Sequence, residues 1–355
     1  MKQKVYINGI GAVTAQGIWR DELFEEAQEI TNNISYALQP GYKELIAPAM
    51  IRRMSKGIKM GIYASQQALN DAEIEQPDAI ITGTGLGCLE DSEKFLKAII
   101  ANEEQFLTPT NFIQSTHNTV GAQIALRLGC KGYNFTYVNG AVSFESALLD
   151  ASLQIETKEA ATILVGGMDE LADHTVSLLK LIDQVKADDI QQAVKESTTT
   201  GVNTAEGAVF FTLSNASTKN TKAVVHAVDI RNVVHEEELA GWVHQFLAAN
   251  NVVAASIDAV ILGRNGDVQF DGYYDQMGKV FAQAAHIYYK HISGEYDTAS
   301  AFGMAAAVYI IDKQDIPENI CWNSIRPNEI KTTLVYNQYR GRDHSLILLQ
   351  HVESS

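Results

Sequence analysis

The residues with the clearest chemical potential lie where a predicted buried strand, Phe135 to Val138, turns into an apolar helix that starts at Val142 or Ser143. A strand-to-helix turn of this kind exposes one residue beside the positive end of the helix. A Cys or Ser there would gain reactivity from the helix N-terminus, and backbone N–H groups could hold an oxyanion. The turn is Asn139-Gly140, and the residue that follows it is Ala141. The pattern therefore predicts an enzyme-like turn that lacks a nucleophile.

Composition narrows the class of protein around this turn. The chain has 355 residues, of which 46% are hydrophobic, enough for a sizeable buried core. Its 27 basic and 43 acidic residues give a net charge of −16, which disfavours a nucleic-acid surface. The apolar runs are too short for a membrane span, and Met1 to Thr14 lacks the plan of a signal peptide. We therefore expect a cytoplasmic protein that binds neither nucleic acid nor membrane.

The three cysteines of the chain are widely separated. This spacing fits reduced thiols and fits neither a disulfide framework nor a zinc site. Cys88 in a glycine-rich loop is either a displaced nucleophile or, as we favour, a small packed residue. His286 and His291 are five residues apart, which does not place them on one helix face, and no Cys or carboxylate cluster accompanies them. The sequence predicts no metal and no cofactor.

The elements that must position the turn alternate between strand and helix. Apolar, β-rich runs of strand length recur with amphipathic helical stretches between them, which predicts an α/β sheet. After a polar stretch at Ser214 to Lys222, the same order of elements begins again. We expect two halves, residues 1–215 and 216–355, joined as one body because no low-complexity linker separates them.

Six segments together resemble the successive landmarks of β-ketoacyl synthases, most clearly over residues 1–215. They are YINGIGAVTAQG (Tyr6–Gly17), RRMSKGIKMGIYASQQALNDA (Arg52–Ala72), ITGTGLGCLED (Ile81–Asp91), NFTYVNGAVSFESALLDA (Asn134–Ala151), ILVGGMDE (Ile163–Glu170) and AEGAVFFTLS (Ala205–Ser214). The resemblance implies the thiolase-like fold, in which two βαβαβαββ halves form a five-layered α-β-α-β-α body. It also implies a dimer that acts on acyl chains held by an acyl carrier protein.

The family's catalytic set is a Cys and two His, and this chain departs from it at each matching position. Ala141 stands where the family has the nucleophilic Cys. Arg264 stands at the first His, or Asn265 if the register shifts by one, and Glu295 stands at the second. A methyl group cannot form a thioester, and an ionised carboxylate accepts hydrogen bonds only. Together these departures predict that the condensing activity has been lost.

The resemblance also assigns roles outside the catalytic set. Only Gly341 keeps the family's glycines in the turn that lines the acyl pocket, where Tyr339 now stands. Lys290 and Glu206 match retained members of a buried polar network, and one hypothesis is that they pair with each other. His117 is either an ordinary hydrogen-bonded loop residue, the reading we favour, or part of a ligand or partner surface.

One dense basic cluster stands out in this acidic chain. It consists of Arg52, Arg53, Lys56 and Lys59. Acyl carrier proteins are acidic, so the cluster is a candidate docking surface through charge complementarity. A solvated helix face is an equally good interpretation of the same four residues.

The sequence favours a non-catalytic partner of an active ketosynthase, similar to chain-length factors and to synthase-like proteins of aryl-polyene or flexirubin pigment clusters. In such a heterodimer, Phe112 and Phe144 would close the acyl tunnel of a polyketide or fatty-acid-like pathway, so Phe144→Ala is predicted to lengthen products. Two alternatives stay open. One is an active 3-oxoacyl synthase or decarboxylase that uses unrecognised residues, and the other is a homodimeric scaffold that binds acyl chains or carrier protein.

Overall fold

The computed structural model describes residues 3–352. Its strands are β1 (Val5–Thr14), β2 (Gly17–Ile18), β3 (Ile34–Ser35), β4 (Ala79–Gly83), β5 (Asn134–Tyr137), β6 (Thr162–Asp169), β7 (Thr204–Ala205), β8 (Gly207–Ser214), β9 (Ala223–Asn232), β10 (Ala259–Leu262), β11 (Ala285–Tyr288), β12 (Thr332–Tyr339) and β13 (Asp343–Gln350). Its helices are α1 (Leu23–Glu26), α2 (Pro48–Ile51), α3 (Lys56–Asp71), α4 (Leu89–Ala101), α5 (Pro109–Ser115), α6 (Thr119–Leu128), α7 (Ser143–Glu156), α8 (Asp173–Leu181), α9 (Glu236–Ala249), α10 (Asp271–Val280), α11 (Lys290–Ser293) and α12 (Ser300–Lys313).

Eleven strands form one continuous mixed sheet in the order β11-β10-β12-β13-β9-β1-β8-β6-β4-β5, with β2 paired to β1. Parallel pairs lie near both ends of this order, between β4 and its neighbours β5 and β6 and between β10 and its neighbours β11 and β12. Strand β1 pairs antiparallel with β8 and, over Val5 to Ile7, also with β9. It therefore joins the strands of the first half to those of the second.

The helices divide this sheet into layers. Helices α3 and α6 pack together and cover the outer face of the first half, and α9 and α10 cover the outer face of the second. Helices α7 and α12 contact each other and strands of both halves. The result is a five-layered α-β-α-β-α body, which confirms the predicted architecture.

Small residues make the central layer possible. Helix α12 is buried from Ser300 to Ile311, and its run of alanines presents short side chains to the two sheet faces. A Cβ at Gly303 would meet the Tyr289 ring at 2.6 Å, so only glycine allows this approach. None of the helices within residues 3–352 has the length and apolar character needed to cross a membrane.

Candidate functional site

The strand-to-helix turn predicted from the sequence is present at the centre of the body. Strand β5 ends at Tyr137, a single 3₁₀ turn spans Gly140–Val142, and α7 begins at Ser143. Gly140 has φ +56°, the left-handed conformation that favours glycine at a sharp turn. The side chain that follows is the methyl group of Ala141, which is 3% exposed. The turn therefore has the expected shape and no nucleophilic atom at its apex.

The hydroxyl nearest in sequence to Ala141 serves the turn itself. Ser143 Oγ accepts a hydrogen bond from the Asn139 N–H at 2.8 Å and lies 2.6 Å from the Gly140 carbonyl oxygen. Its side chain is completely buried. These contacts hold the backbone of the turn, and they leave the Ser143 hydroxyl without access to a substrate.

Glu295, which the sequence resemblance matches to the family's second histidine, takes part in a buried ion pair. Lys290 Nζ lies 2.7 Å from Glu295 Oε2 and 2.8 Å from Oε1. Asn265 Nδ2 donates to the same Glu295 Oε2 at 2.6 Å. All three side chains are nearly inaccessible to solvent. The carboxylate of Glu295 is thus fully engaged by a cation and an amide.

The two residues that the sequence left open at the first histidine have different surroundings. Arg264 turns towards α10, where it lies 2.7 Å from Asp271 and 3.1 Å from Asp275. Asn265 faces Glu295 instead. Arg264 therefore pairs with carboxylates of α10, whereas Asn265 contacts the same Glu295 that pairs with Lys290.

The hypothesis that Glu206 pairs with Lys290 is wrong. Glu206 lies 2.6 Å from Lys56 Nζ and also accepts hydrogen bonds from the backbone N–H groups of Ala37 and Leu171. Lys290 is instead paired with Glu295, only five residues along the chain. Glu206 and Lys290 therefore belong to separate ion pairs. Glu206, just before β8, pairs with Lys56 at the start of α3, whereas Lys290 is the first residue of α11.

Beside the Lys290–Glu295 pair lies a cavity of about 130 Å³. That volume is close to the roughly 150 Å³ that holds a benzene-sized molecule in a protein interior. One side is apolar, with Leu171, Val176, Leu179 and Val202 among its lining residues. The polar side is lined by Asp169, Asn265, Glu295, Asp297 and Tyr339.

Two carboxylates of the polar side behave differently. Asp169 accepts hydrogen bonds from the backbone and hydroxyl of Thr298, from Thr84 Oγ1 and from the Gly85 N–H. Burial, together with the nearby carboxylates Asp169 and Glu295, raises the pKa of Asp297 to about 8. Sequence reasoning missed Asp297 altogether, because no pattern in the sequence marks a carboxylate that only the fold brings to a cavity.

Of the residues expected to line an acyl tunnel, Tyr339 alone lines this cavity, where its hydroxyl donates to Gln184 Oε1 at 3.2 Å. Phe144 is completely buried in the core and packs against the Phe211 ring at 5.8 Å, so the structure gives it a packing role in this chain. Phe112 is 54% exposed on α5, and His117 is also exposed. The structure does not bring these four residues together.

The basic cluster divides into two kinds of side chain. Arg52 and Arg53 are exposed, and Lys59 is half-buried near the Tyr42 ring. Lys56 is largely buried against Glu206. Burial lowers the pKa of Lys56, but Glu206, Glu90 and Glu170 together raise it above its usual value. These residues line a groove together with Lys94 of α4. Lys56 is thus a structural cation, and the other three remain available to a partner.

Cys88 has the environment of a packed residue. It is completely buried at the start of α4, and burial raises the pKa of its thiol far above the usual range. A protonated, inaccessible thiol is not a nucleophile. Within residues 3–352, no group of three or more His, Cys, Asp or Glu side chains is arranged to hold a metal ion.

The five-layered body, with its strand-to-helix turn against β13 and the central helix α7, defines a thiolase-like protein of the ketosynthase type. The family model described as beta-ketoacyl synthase, N-terminal domain, matches residues 7–219. The chain therefore belongs to the β-ketoacyl synthase family.

Known relatives are distant in sequence. The chain is 25% identical over 190 residues to the 3-oxoacyl-(acyl-carrier-protein) synthase 2 of Synechocystis sp., a match that covers 47% of this chain and 46% of the relative. The match thus spans about half the length of that curated relative.

Similarity to solved structures extends over nearly the whole chain. The ishigamide ketosynthase/chain length factor has a TM-score of 0.81 at 18% identity, with 99% of this chain and 100% of that chain covered. The ketosynthase ApeO in complex with its chain length factor ApeC from Xenorhabdus doucetiae has a TM-score of 0.77 at 14% identity, with 99% and 98% covered. These similarities confirm the predicted fold.

Proposed function

We propose that this chain is a non-catalytic β-ketoacyl synthase homologue that works as a chain-length-factor-like subunit of an active ketosynthase. The observation that carries the proposal is that two positions are changed together: Ala141 has only a methyl group at the proposed nucleophile position, and the Lys290–Glu295 ion pair stands at the proposed second histidine position. Each replacement removes a different step of the condensation.

The first step requires a nucleophile that accepts the acyl group as a thioester. Ala141 has none, and the neighbouring Ser143 hydroxyl is buried and committed to the turn. The second step requires hydrogen-bond donors that stabilise an enolate as the extender unit loses carbon dioxide. Glu295 supplies a carboxylate at that place, and its partner Lys290 is committed to it. Ala141 therefore supplies no nucleophile for the first step, and Glu295 supplies no hydrogen-bond donor for the second.

A surface suited to a permanent partner lies on strand β5, the edge strand next to β4. Tyr133 and Phe135 beside this edge are 42% and 46% exposed, and their rings stack with centroids 6.0 Å apart. An exposed edge strand with aromatic side chains favours association unless something covers it. Two of the similar structures, the ishigamide ketosynthase/chain length factor and ApeO in complex with ApeC, combine a ketosynthase with a chain length factor, which supports a ketosynthase as the occupant.

The carrier protein has a separate candidate surface. Arg52 and Arg53 project into solvent beside Lys59 and Lys94, along one groove that Glu90 and Asp91 also line. Lys94 pairs with both of these carboxylates, so Arg52, Arg53 and Lys59 carry the positive charge of the groove. Such a groove complements the acidic surface of an acyl carrier protein and would favour its association rate. We therefore propose this groove as the docking site for the carrier of the growing chain.

The experiment is co-expression with an intact ketosynthase from the same gene cluster, followed by size-exclusion chromatography and a condensation assay with and without this chain. We expect a one-to-one complex and product formation that requires both chains. Phe135→Asp should abolish the complex, because it places a charge in the contact. Val253→Asp is the matched control, since Val253 is 67% exposed far from β5.

Two outcomes would overturn the proposal. A stable homodimer that ignores the synthase would favour the scaffold alternative. Condensation or decarboxylation by this chain alone would favour the active-enzyme alternative. A further check is Ala141→Cys, which we expect to leave the isolated chain inactive because Glu295 still stands at the histidine position.

A further inference from the structure

The two helices that line the basic groove begin beside one buried carboxylate. Helix α3 starts at Lys56 and α4 starts at Leu89, and both contribute side chains to the groove. Glu170 directly follows β6 and is 4% exposed. Its Oε2 accepts a hydrogen bond from the Gly57 N–H at 2.5 Å, and its Oε1 accepts one from the Glu90 N–H at 2.9 Å. One carboxylate therefore joins the first turns of both helices.

The backbone at both helix starts needs an acceptor from outside the helix. The first N–H groups of a helix have no partner within it, and the aligned peptide dipoles place partial positive charge there. In α3 the Ser55 side chain accepts from the Ile58 N–H, and in α4 the cap residue Cys88 makes no side-chain cap hydrogen bond. An ionised carboxylate has two oxygens that only accept, so Glu170 serves both helices at once. An amide has one oxygen and could serve only one of them.

The charges that a carrier protein would meet lie on these two helices. Arg52 and Arg53 directly precede α3, and Lys59 lies in its first turn. Across the groove, Glu90 and Lys94 of α4 pair with each other at 3.2 Å. The buried carboxylate holds the backbone N–H of Glu90, so it also fixes where this pair lies relative to the cations of α3. The charge pattern of the groove therefore depends on how the two helix starts are held together.

We infer that Glu170 is a positioning residue for the docking of the acyl carrier protein: its carboxylate fixes the starts of α3 and α4 relative to each other, and the carrier binds tightly only when both are held. The inference rests on the proposed function, since it takes the basic groove as the docking site. Glu170 is buried and does not line the groove. It therefore acts on the carrier only through the two helices.

The protonation of Glu170 gives this role a measurable pH dependence. Burial, with a further contribution from Glu90 and opposed by Lys56, raises the pKa of Glu170 to about 7. Cys88 and Lys94 also face this carboxylate, and their pKa values are raised, so neither changes its charge between pH 6 and 8. A protonated carboxyl group has one oxygen that donates, so it resembles an amide and no longer serves both helices as an ionised carboxylate does. Carrier binding should therefore weaken as the pH falls through about 7.

The test is isothermal titration calorimetry of the full chain with the holo-acyl carrier protein of the same gene cluster, at pH 6, 7 and 8. The ionised fraction of Glu170 falls about tenfold between pH 8 and pH 6, so the affinity of the unmodified chain should fall by up to about tenfold. Glu170→Gln should bind about tenfold more weakly than the unmodified chain at pH 8, match it at pH 6, and show no pH dependence of its own.

The chain offers a matched control for this variant. Glu93 of α4 also accepts hydrogen bonds from backbone N–H groups at a helix start, those of His174 and Thr175 in α8. It does not join α3 to α4. Glu93→Gln should therefore change carrier binding by less than about twofold at pH 8 and keep the pH dependence of the unmodified chain.

The outcomes separate this inference from the docking proposal on which it rests. If Glu170→Gln binds the carrier as tightly as the unmodified chain at pH 8, while Arg53→Ala binds it more weakly, the groove remains the docking site and Glu170 has no positioning role. If the unmodified chain does not bind the carrier, both the docking proposal and this inference are overturned. Urea denaturation at pH 8 checks that Glu170→Gln is folded. Should it fail to fold, the profile of the unmodified chain decides, because equal affinity at pH 6 and pH 8 would overturn the inference.

Discussion

Two buried lysine–glutamate pairs, Lys56–Glu206 and Lys290–Glu295, have almost the same length, 2.6 and 2.7 Å, and differ in what they connect. Glu206 also binds the backbone at Ala37 and Leu171, so its pair ties α3 to two distant segments. The Lys290–Glu295 pair closes a loop of five residues and binds one further side chain. The first pair holds the tertiary structure together, whereas the second fills a site. The same type of ion pair therefore has different consequences, depending on how far apart its two residues lie in the sequence.

The largest effect is expected from Glu206→Ala. This change leaves Lys56 without its partner and removes the acceptor of two backbone N–H groups. We expect the free energy of unfolding to fall by about 4 kcal/mol, measured by urea denaturation. The control is Glu26→Ala, since Glu26 pairs with Arg20 at the surface and should contribute less than about 1 kcal/mol. An equal, small loss in both variants would contradict the tertiary role of the Glu206 pair.

Lys290→Met should lower the free energy of unfolding by about 3 kcal/mol, because it leaves the buried Glu295 carboxylate without a cation. Adding Glu295→Gln should recover more than half of this loss. The amide has no charge to compensate, and its oxygen still accepts from Asn265. A double variant as unstable as Lys290→Met would show that the lysine contributes through packing rather than through the pair.

The pH dependence of the free energy of unfolding also distinguishes the region of the Lys56–Glu206 pair from that of the Lys290–Glu295 pair. Burial raises the pKa of Glu170, near the first pair, to about 7. The folded protein therefore retains a proton that the unfolded chain loses, and stability from this group falls as the pH rises from about 5 to 7 and then levels off. Relative to the unmodified chain, Glu170→Gln should gain about 2 kcal/mol between pH 5 and pH 8, measured by urea denaturation at both values. A difference independent of pH would contradict this assignment.

The smallest effect is expected at the exposed end of the basic cluster. Arg53→Ala should change the free energy of unfolding by less than about 0.5 kcal/mol, because the side chain is exposed to solvent. Binding of an acyl carrier protein to the complex should nevertheless weaken several-fold, and more at low salt than at high salt. Loss of stability without loss of carrier binding would assign Arg53 to the fold instead of the docking surface.

Most of the fold was predictable from the sequence because it depends on local patterns. The alternation of apolar strands and amphipathic helices predicted the α/β sheet, and the Asn139-Gly140 turn predicted the strand-to-helix junction within one residue of its observed bounds. The position of Ala141 followed from the same pattern. Periodicity and turn chemistry act over a few residues, so a single sequence contains them.

The arrangement of the site was less predictable. The sequence predicted that Glu206 and Lys290 belong to one network, but Glu206 pairs with Lys56 and Lys290 pairs with Glu295. Arg264 and Asn265 are neighbours in the sequence, and of the two it is Asn265 that donates to Glu295. Phe144, predicted to close a tunnel in a complex, is completely buried in the single chain, and its tunnel role stays a prediction. Side-chain contacts between distant segments depend on how the layers of the fold pack, and the spacing of residues along the sequence does not specify that packing.

By itself, the sequence determined which atoms are available: a methyl group at Ala141, a carboxylate at Glu295, and an excess of acidic side chains. The tertiary structure decided what those atoms face. It paired Glu295 with Lys290 and brought the half-buried Asp297 to the wall of a cavity. The physical reason is that chemical identity belongs to the residue, whereas burial and charge compensation are properties of the surroundings that folding assembles.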